Sequence, residues 1–320
     1  MEQPLLKVKD LAVEFQTRHG PVRAANLISF EVKPKETFCL VGESGCGKSV
    51  VALALLGLLP ANALVSGEVW YRGNNLLPYS APEQTQVRGR EIAMIFEQPM
   101  GCLNPVMSIG EQIMEAYGVN RVCSKQEVRL GAKRLIEEVG ISSRRFRDYP
   151  HELSGGMQQR VMIAMALACQ PRLLIADEPT TSLDVTVQYQ IIQLLRELKE
   201  RYDMSLLLIT HDLGVVAEMS DQVAVMYAGD LLEITNVQDF FFTPGHPYSR
   251  ALIKVVEGNS LNPIRGNVPS LTDRLQGCPF YARCPDAITL CREIRPQASY
   301  FNNKMERCHL GQFDTSRKAN

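Results

Sequence analysis

The 320-residue chain has no excess of charge of either sign: 34 Lys and Arg stand against 35 Asp and Glu, for a net charge of −1. No global field draws phosphate backbones or acidic lipids toward it, so nucleic acid is not the default partner. A long hydrophobic run is also missing. The most apolar stretch, Val50 to Leu59, is far shorter than the roughly 20 residues a spanning helix needs, and it stops at Pro60. The segment Met1 to Lys7 has neither the basic start nor the apolar run of a secretory signal. These absences predict a chain that stays in the cytosol and reaches a membrane only through a partner. Internal repeats and low-complexity segments are absent too, which argues against solenoids and disordered tracts.

What is present is an ordinary apolar share, in a length that suits one large α/β domain with a smaller appendage. Of the nine cysteines, five are scattered over the first 170 residues and four (Cys278, Cys284, Cys291, Cys308) gather near the end. Without a secretory signal, such a terminal group points to a metal site rather than a disulfide framework.

Residues 5 to 57 alternate β-type runs with turns: Leu5 to Phe15, Asn26 to Val32, then Thr37 to Val41 leading into a glycine-rich loop and a helix from about Lys48 to Leu59. Strand, glycine loop and helix in that order form a nucleotide-binding βα unit. From about Glu83 to Ala168 the patterns turn helical, as in Lys125 to Val139, and predict a helical subdomain inserted into the α/β core. Strand patterns resume at Arg172 to Ala176, Ser205 to Thr210 and Gln222 to Tyr227, with a helix over Val185 to Arg201. Beyond Phe242 prolines, glycines and the cysteine group take over. The expected division is a nucleotide-binding domain over 1–242, carrying the helical subdomain at about 83–168, and an extension over 243–320.

Gly42-Glu43-Ser44-Gly45-Cys46-Gly47-Lys48-Ser49 fits G-x-x-x-x-G-K-[ST], with Val50 next in the helix. Glycines let the backbone N–H groups wrap around phosphate oxygens, and the following helix adds its positive end. Lys48 is placed to contact the β- and γ-phosphates and the Ser49 hydroxyl to ligate Mg²⁺. The Cys46 thiol is either an alkylation site that would block nucleotide or a small tolerated side chain, the second being favoured. Downstream, Leu173 to Ala176 is an apolar run ending in Asp177 and Glu178. Asp177 suits the Mg²⁺ shell, and Glu178 suits orienting or deprotonating the attacking water. Two such acids can also form a solvated turn, but a phosphate loop upstream favours catalysis.

Leu153-Ser154-Gly155-Gly156-Met157-Gln158 precedes an apolar helix read over Val161 to Cys169. A serine and two glycines at a helix N-terminus make a second anion site. Two such sites far apart in one chain imply that one serves a nucleotide held by another subunit. With these residues the chain resembles the ATP-binding cassette (ABC) ATPases, whose LSGGQ signature corresponds to Leu153 to Met157 with Met in the last place. The resemblance spans about residues 5 to 257 with the motifs in the family's order. It implies a P-loop α/β fold, ATP and Mg²⁺ as cofactors, and ATP hydrolysis coupled to transport. It also implies that Phe15 stacks on adenine, that Ser182, Leu183 and Asp184 form the D-loop at a dimer interface, and that His211 senses the γ-phosphate.

One position departs from the family. After Ile92 to Phe96 a glutamine is expected, and this chain has Glu97, then Gln98 and Pro99. A carboxylate can still ligate Mg²⁺, but it adds charge beside Asp177 and Glu178 and donates no hydrogen bond. The expectation is that Glu97 keeps the metal-facing role while Gln98 points away.

The tail narrows the resemblance. Pro244 to Leu252, Gly266 to Leu271, Gly277-Cys278-Pro279 and Arg283-Cys284-Pro285 are similar to the C-terminal extension of oligopeptide and dipeptide importer ATPases, whose relatives also carry nickel or confer resistance to cationic peptides. This implies a second, different ATPase subunit, two membrane-spanning permease subunits, an extracytoplasmic substrate-binding protein, and residence on the cytoplasmic face of the plasma (inner) membrane. The cysteine spacing C-x5-C-x6-C-x16-C suits a structural [4Fe–4S] cluster better than zinc, with free core thiols as a third reading.

Other classes fit less well. Soluble cassette ATPases usually carry two cassettes or a long coiled coil, and neither is present. A GTPase calls for N-K-x-D, and Asn303-Lys304-Met305-Glu306 has the wrong acid. A regulatory protein with a dead cassette is opposed by the intact Lys48, Asp177, Glu178 and His211. Arg144-Arg145-Phe146-Arg147 suits a solvated loop better than a docking patch.

Overall fold

The computed structural model describes residues 3–18, 20–77, 87–119, 123–181, 183–256, 264, 266–272, 275–301 and 304–311. In chain order come β1 (Leu6–Thr17), β2 (Gly20–Val32), β3 (Thr37–Val41), α1 (Lys48–Leu55), β4 (Ala63–Tyr71) and β5 (Asn74–Asn75). Next are β6 (Ile92–Ile95), α2 (Pro99–Cys102), α3 (Ile109–Gly118), α4 (Lys125–Glu138), α5 (Gly155–Leu167), β7 (Leu173–Asp177), α6 (Val185–Arg201) and β8 (Ser205–Thr210). The chain continues through α7 (Leu213–Met219), β9 (Gln222–Tyr227), β10 (Asp230–Asn236), α8 (Val237–Phe242), α9 (Pro247–Val256), α10 (Thr289–Glu293), β11 (Ser299–Phe301) and β12 (Lys304–Glu306). It divides into two compact units, residues 1–78 with 210–320, and residues 79–209.

In the first unit an antiparallel sheet runs β2-β1-β4-β5. Period-two alternation sets its core face in two stretches of β1, Leu6 with Val8 and Leu11 with Val13, all buried, and a register shift between Val8 and Leu11 resets the phase. β2 begins at Gly20 rather than at Asn26, because Thr17 and Gly20 close a ribbon with β1 that extends past the apolar run. A second set of strands runs β11-β12-β10-β9-β3. β3 lies parallel to β9, pairing Phe38 with Gln222 through Val41 with Val225, and every residue of β3 is buried. That burial explains the apolar run from Phe38 to Val41. β3 delivers the chain into the loop before α1. This helix stops at Leu55, short of Leu59, because Gly57 takes φ 59° and Leu58 N–H turns back to the Leu53 carbonyl.

In the second unit β6, β7 and β8 form a parallel ladder, with Ile92 opposite Leu173 and Leu173 opposite Ser205. The helices α3 and α4 start at capping boxes, Ser108 with Glu111 and Ser124 with Glu127, and these set both N-termini. α5 starts at Gly155, ahead of the apolar run, since Ser154 accepts the Met157 N–H as N-cap. Among the described residues, no helix is long and apolar enough to cross a membrane.

Candidate functional site

The phosphate loop is fixed by close backbone approaches that only glycine permits. A Cβ on Gly42 would lie 2.1 Å from the Met226 carbonyl oxygen, and one on Gly47, at φ 106°, would lie 2.0 Å from that of Ala24. Between them Ser44 and Gly45 are exposed. Lys48 is 5% exposed and donates from Nζ to the carbonyls of Gly42 (2.9 Å) and Glu43 (3.2 Å), closing the loop around its own ammonium group. Ser49 and Val50 follow, half-buried, in the first turn of α1. Cys46 is fully buried, and burial pushes its thiol pKa up, so it is a filler rather than an exposed nucleophile.

Sequence reasoning missed what holds Glu43. Its N–H donates to Tyr248 Oη (3.1 Å), and its carboxylate takes both arms of Arg283, Nη1 to Oε2 at 2.8 Å and Nη2 to Oε1 at 3.1 Å. Burial disfavours the Arg283 charge, but the hydrogen bonds to Glu43 and Tyr227 outweigh it and raise the pKa. No local pattern connects Arg283 with a residue so far upstream.

Elsewhere in the first unit, Phe15 is half-buried on β1, opposite Val22 of β2 and Ala63 of β4. His211 is exposed directly after β8, and Asp212 caps α7 by accepting the N–H groups of Gly214 and Val215.

In the second unit Asp177 ends β7 at 5% exposure. Glu178 follows at φ 48°, a left-handed conformation uncommon outside glycine. Its N–H donates to the Ile209 carbonyl (2.9 Å), and its Oε2 accepts from the Thr181 hydroxyl (2.7 Å). An aimed carboxylate at the C-terminal end of a parallel strand is the usual position for chemistry in open α/β sheets. Glu97 and Gln98 are both exposed after β6. Ser154 and Gly155 are exposed ahead of α5, while a Cβ on Gly156 would lie 2.4 Å from Val187 Cγ1, so that glycine sets how closely α5 meets α6. Leu153 is buried and Met157 is half-buried. Gln158 turns inward, donating to the carbonyls of Pro150 (2.8 Å) and Leu153 (3.3 Å), and so braces the signature from behind. Asp184 caps α6 by accepting the Val187 N–H, Leu183 N–H reaches the Thr180 carbonyl, and Ser182 lies outside the described residues.

The expected [4Fe–4S] ligand set is not assembled as a metal cage: among the described residues, no three His, Cys, Asp or Glu side chains are arranged to hold a metal ion. Cys278 and Cys291 are instead buried, and Cys284 and Cys308 half-buried. Burial, reinforced by Cys308, Cys291 and Cys284, pushes the Cys278 pKa up to about 12, and burial likewise raises Cys308 to about 11.

Residues 25–181 match the ABC transporter family model, and residues 232–291 match the C-terminal region of oligopeptide/dipeptide transporters. The oligopeptide transport ATP-binding protein OppD of Escherichia coli is 46% identical over 311 residues, covering 95% of this chain and 92% of that protein. The dipeptide transport ATP-binding protein DppD of Bacillus subtilis is 44% identical over 303 residues, covering 92% and 90%. Among solved structures, the ATP-binding cassette MJ0796, a dimer in a post-hydrolysis state bound to ADP and Pi, has a TM-score of 0.65 at 26% identity and covers 72% of this chain and 98% of that one. With the phosphate loop, acidic strand end and signature turn in place, and relatives of this similarity along nearly the whole length, the chain belongs to the ATP-hydrolysing subunits of ABC transporters, in the oligopeptide/dipeptide branch.

Proposed function

We propose that this chain energises import of di- or oligopeptides from the cytoplasmic face of the plasma (inner) membrane. The observation that carries this reading is coverage: relatives named for oligopeptide and dipeptide transport match more than nine-tenths of the chain, C-terminal region included.

In this reading Lys48 and the N–H groups of Gly42 to Val50 bind the phosphates, and Phe15 stacks on the adenine. Ser49 and Asp177 would hold Mg²⁺, with Glu97 in the position of the family's glutamine, and the ion would neutralise charge on the phosphates. Glu178 polarises the attacking water, with Thr181 fixing its carboxylate, and His211 reads the γ-phosphate. Ser154 to Gly156, with the D-loop of Ser182 to Asp184, serve the nucleotide of a second, different ATPase subunit. Two permease subunits and an extracytoplasmic binding protein complete the importer, which accounts for a chain with no spanning helix among its described residues. The near-zero net charge supplies no global field to attract nucleic acid, which is not the default partner.

The finer reading of the tail is that Cys278, Cys284, Cys291 and Cys308 would hold a structural [4Fe–4S] cluster as thiolates, their protons being released to solvent. The C-x5-C-x6-C-x16-C spacing supports it, as does the 2.7 Å hydrogen bond from Cys278 N–H to the Cys291 carbonyl, which keeps two of the four together. Iron and sulfide analysis of anaerobically purified protein tests it, and a preparation with neither sinks it.

For the transport reading, uptake of labelled di- and oligopeptides is compared in cells carrying wild type or Lys48→Ala as the only copy. Loss of uptake with Lys48→Ala is expected. Unchanged peptide uptake, or loss confined to nickel, overturns the assignment of peptide as cargo.

A further inference from the structure

We propose that Arg283 is a positioning residue for the phosphate-binding loop: its guanidinium neutralises Glu43 and fixes where that carboxylate lies, so the loop can accept a polyanion. The proposal rests on the ATP-site reading above and concerns a residue outside every nucleotide motif.

Glu43 places a carboxylate within the loop that must attract phosphates. A full negative charge there opposes the ligand's charge at short range, where Coulomb energies in a partly buried site amount to several RT. Arg283 is the counter-charge. Its side chain is 6% exposed and that of Glu43 25%, so solvent and salt screen the pair weakly. Two parallel N–H···O bonds, at 2.8 and 3.1 Å, fix the carboxylate's direction as well as its charge, which a lysine could not do.

Arg283 is itself fixed. It donates to Tyr227 Oη (3.2 Å) and to the Ile264 carbonyl (3.0 Å), and lies over the Tyr227 ring at 5.6 Å. The Glu43 backbone is held independently, since its N–H is taken by Tyr248 Oη. The two tyrosine rings are in turn joined by Phe280, at 5.3 Å from Tyr227 and 5.2 Å from Tyr248. Both ends of the first variable residue of the loop are therefore set by residues of the C-terminal extension and by β9.

The test is equilibrium binding of MgATP to the full-length protein, at low and at high ionic strength, for wild type, Arg283→Ala, Glu43→Gln and the double variant. Arg283→Ala is expected to weaken binding about tenfold at low salt, by leaving a carboxylate uncompensated beside the phosphates, and less at high salt. Adding Glu43→Gln to Arg283→Ala is expected to restore affinity to within about threefold of wild type, because the charge that Arg283 neutralised is gone. A merely structural role predicts no rescue. Arg283→Ala within about twofold of wild type, or a double variant as weak as the single one, overturns the proposal. Should Arg283→Ala fail to fold, Glu43→Gln alone decides: affinity equal to or tighter than wild type supports it, and weakening beyond about threefold overturns it. Wild-type affinity, measured first, reports on the nucleotide site itself, so failure of that reading is separable from failure of this one.

Discussion

Glu178 sits at backbone angles that cost a non-glycine residue on the order of 1 kcal/mol, with its carboxylate held by Thr181. Aim of that kind is wasted on a surface acid and useful for a water-activating one. Glu178→Gln should lower kcat of the assembled transporter by about a hundredfold or more while MgATP affinity stays within about threefold, as steady-state hydrolysis and equilibrium binding would read. Equal losses in both would remove its catalytic role. His246 offers a pH test. It is 1% exposed, its Nδ1 accepts the Tyr248 N–H, and burial lowers its pKa to about 3 from 6.5. Between those values the unfolded chain binds the extra proton, so stability is full above pH 6.5 and falls as pH drops toward 3, by at most about 1.4 kcal/mol per pH unit. Denaturant midpoints measured against pH should show that slope reduced in His246→Asn, and an unchanged slope would assign it to other groups. In metal-free protein, Cys278 and Cys308, with pKa values raised to about 12 and 11, should alkylate far more slowly at pH 8 than exposed Cys123, by mass spectrometry of labelled peptides.

Among the elements, the contact of Gly156 with Val187 is the one most sensitive to a single methyl group. Gly156→Ala should cost about 1–3 kcal/mol in unfolding free energy, and adding Val187→Ala should recover part of it. Additive losses would mean that the helices do not meet there. The same scale shows what was legible in the sequence. The helix over Val185 to Arg201 was readable at both ends because Asp184 is a cap by chemistry and Tyr202 closes it with a turn. The buried strands at 205–210 and 222–227 were readable because both are apolar runs of strand length. The start of β2 was not, since Gly20 joins the sheet through pairing with Thr17 rather than through its own propensity. In the site, each motif was legible because its geometry is local: a glycine loop before a helix, acids at a strand end, a serine cap. The bracing of that geometry was illegible. Gln158 turning inward depends on the carbonyls it meets, and the grip of Arg283 on Glu43 depends on tertiary contact alone.

For the whole molecule, the C-terminal extension forms part of the first unit. β12 pairs Met305 with Ile234 and Glu306 with Glu233 of β10, and Phe280 fills the space against Tyr227 and Tyr248. A chain ended at Phe242 should expose β10 as a buried-type edge, lower the unfolding midpoint and elute as aggregates on size exclusion. A monodisperse truncation of native stability would show the extension to be a mere appendage. The sequence separation of Arg283 from Glu43, 240 residues, has a consequence for synthesis. At ordinary translation rates the loop emerges on the order of ten to fifty seconds before its counter-charge does. On the proposal above, a chain ended before Arg283 leaves Glu43 without its counter-charge and should bind MgATP about tenfold more weakly than the full-length protein.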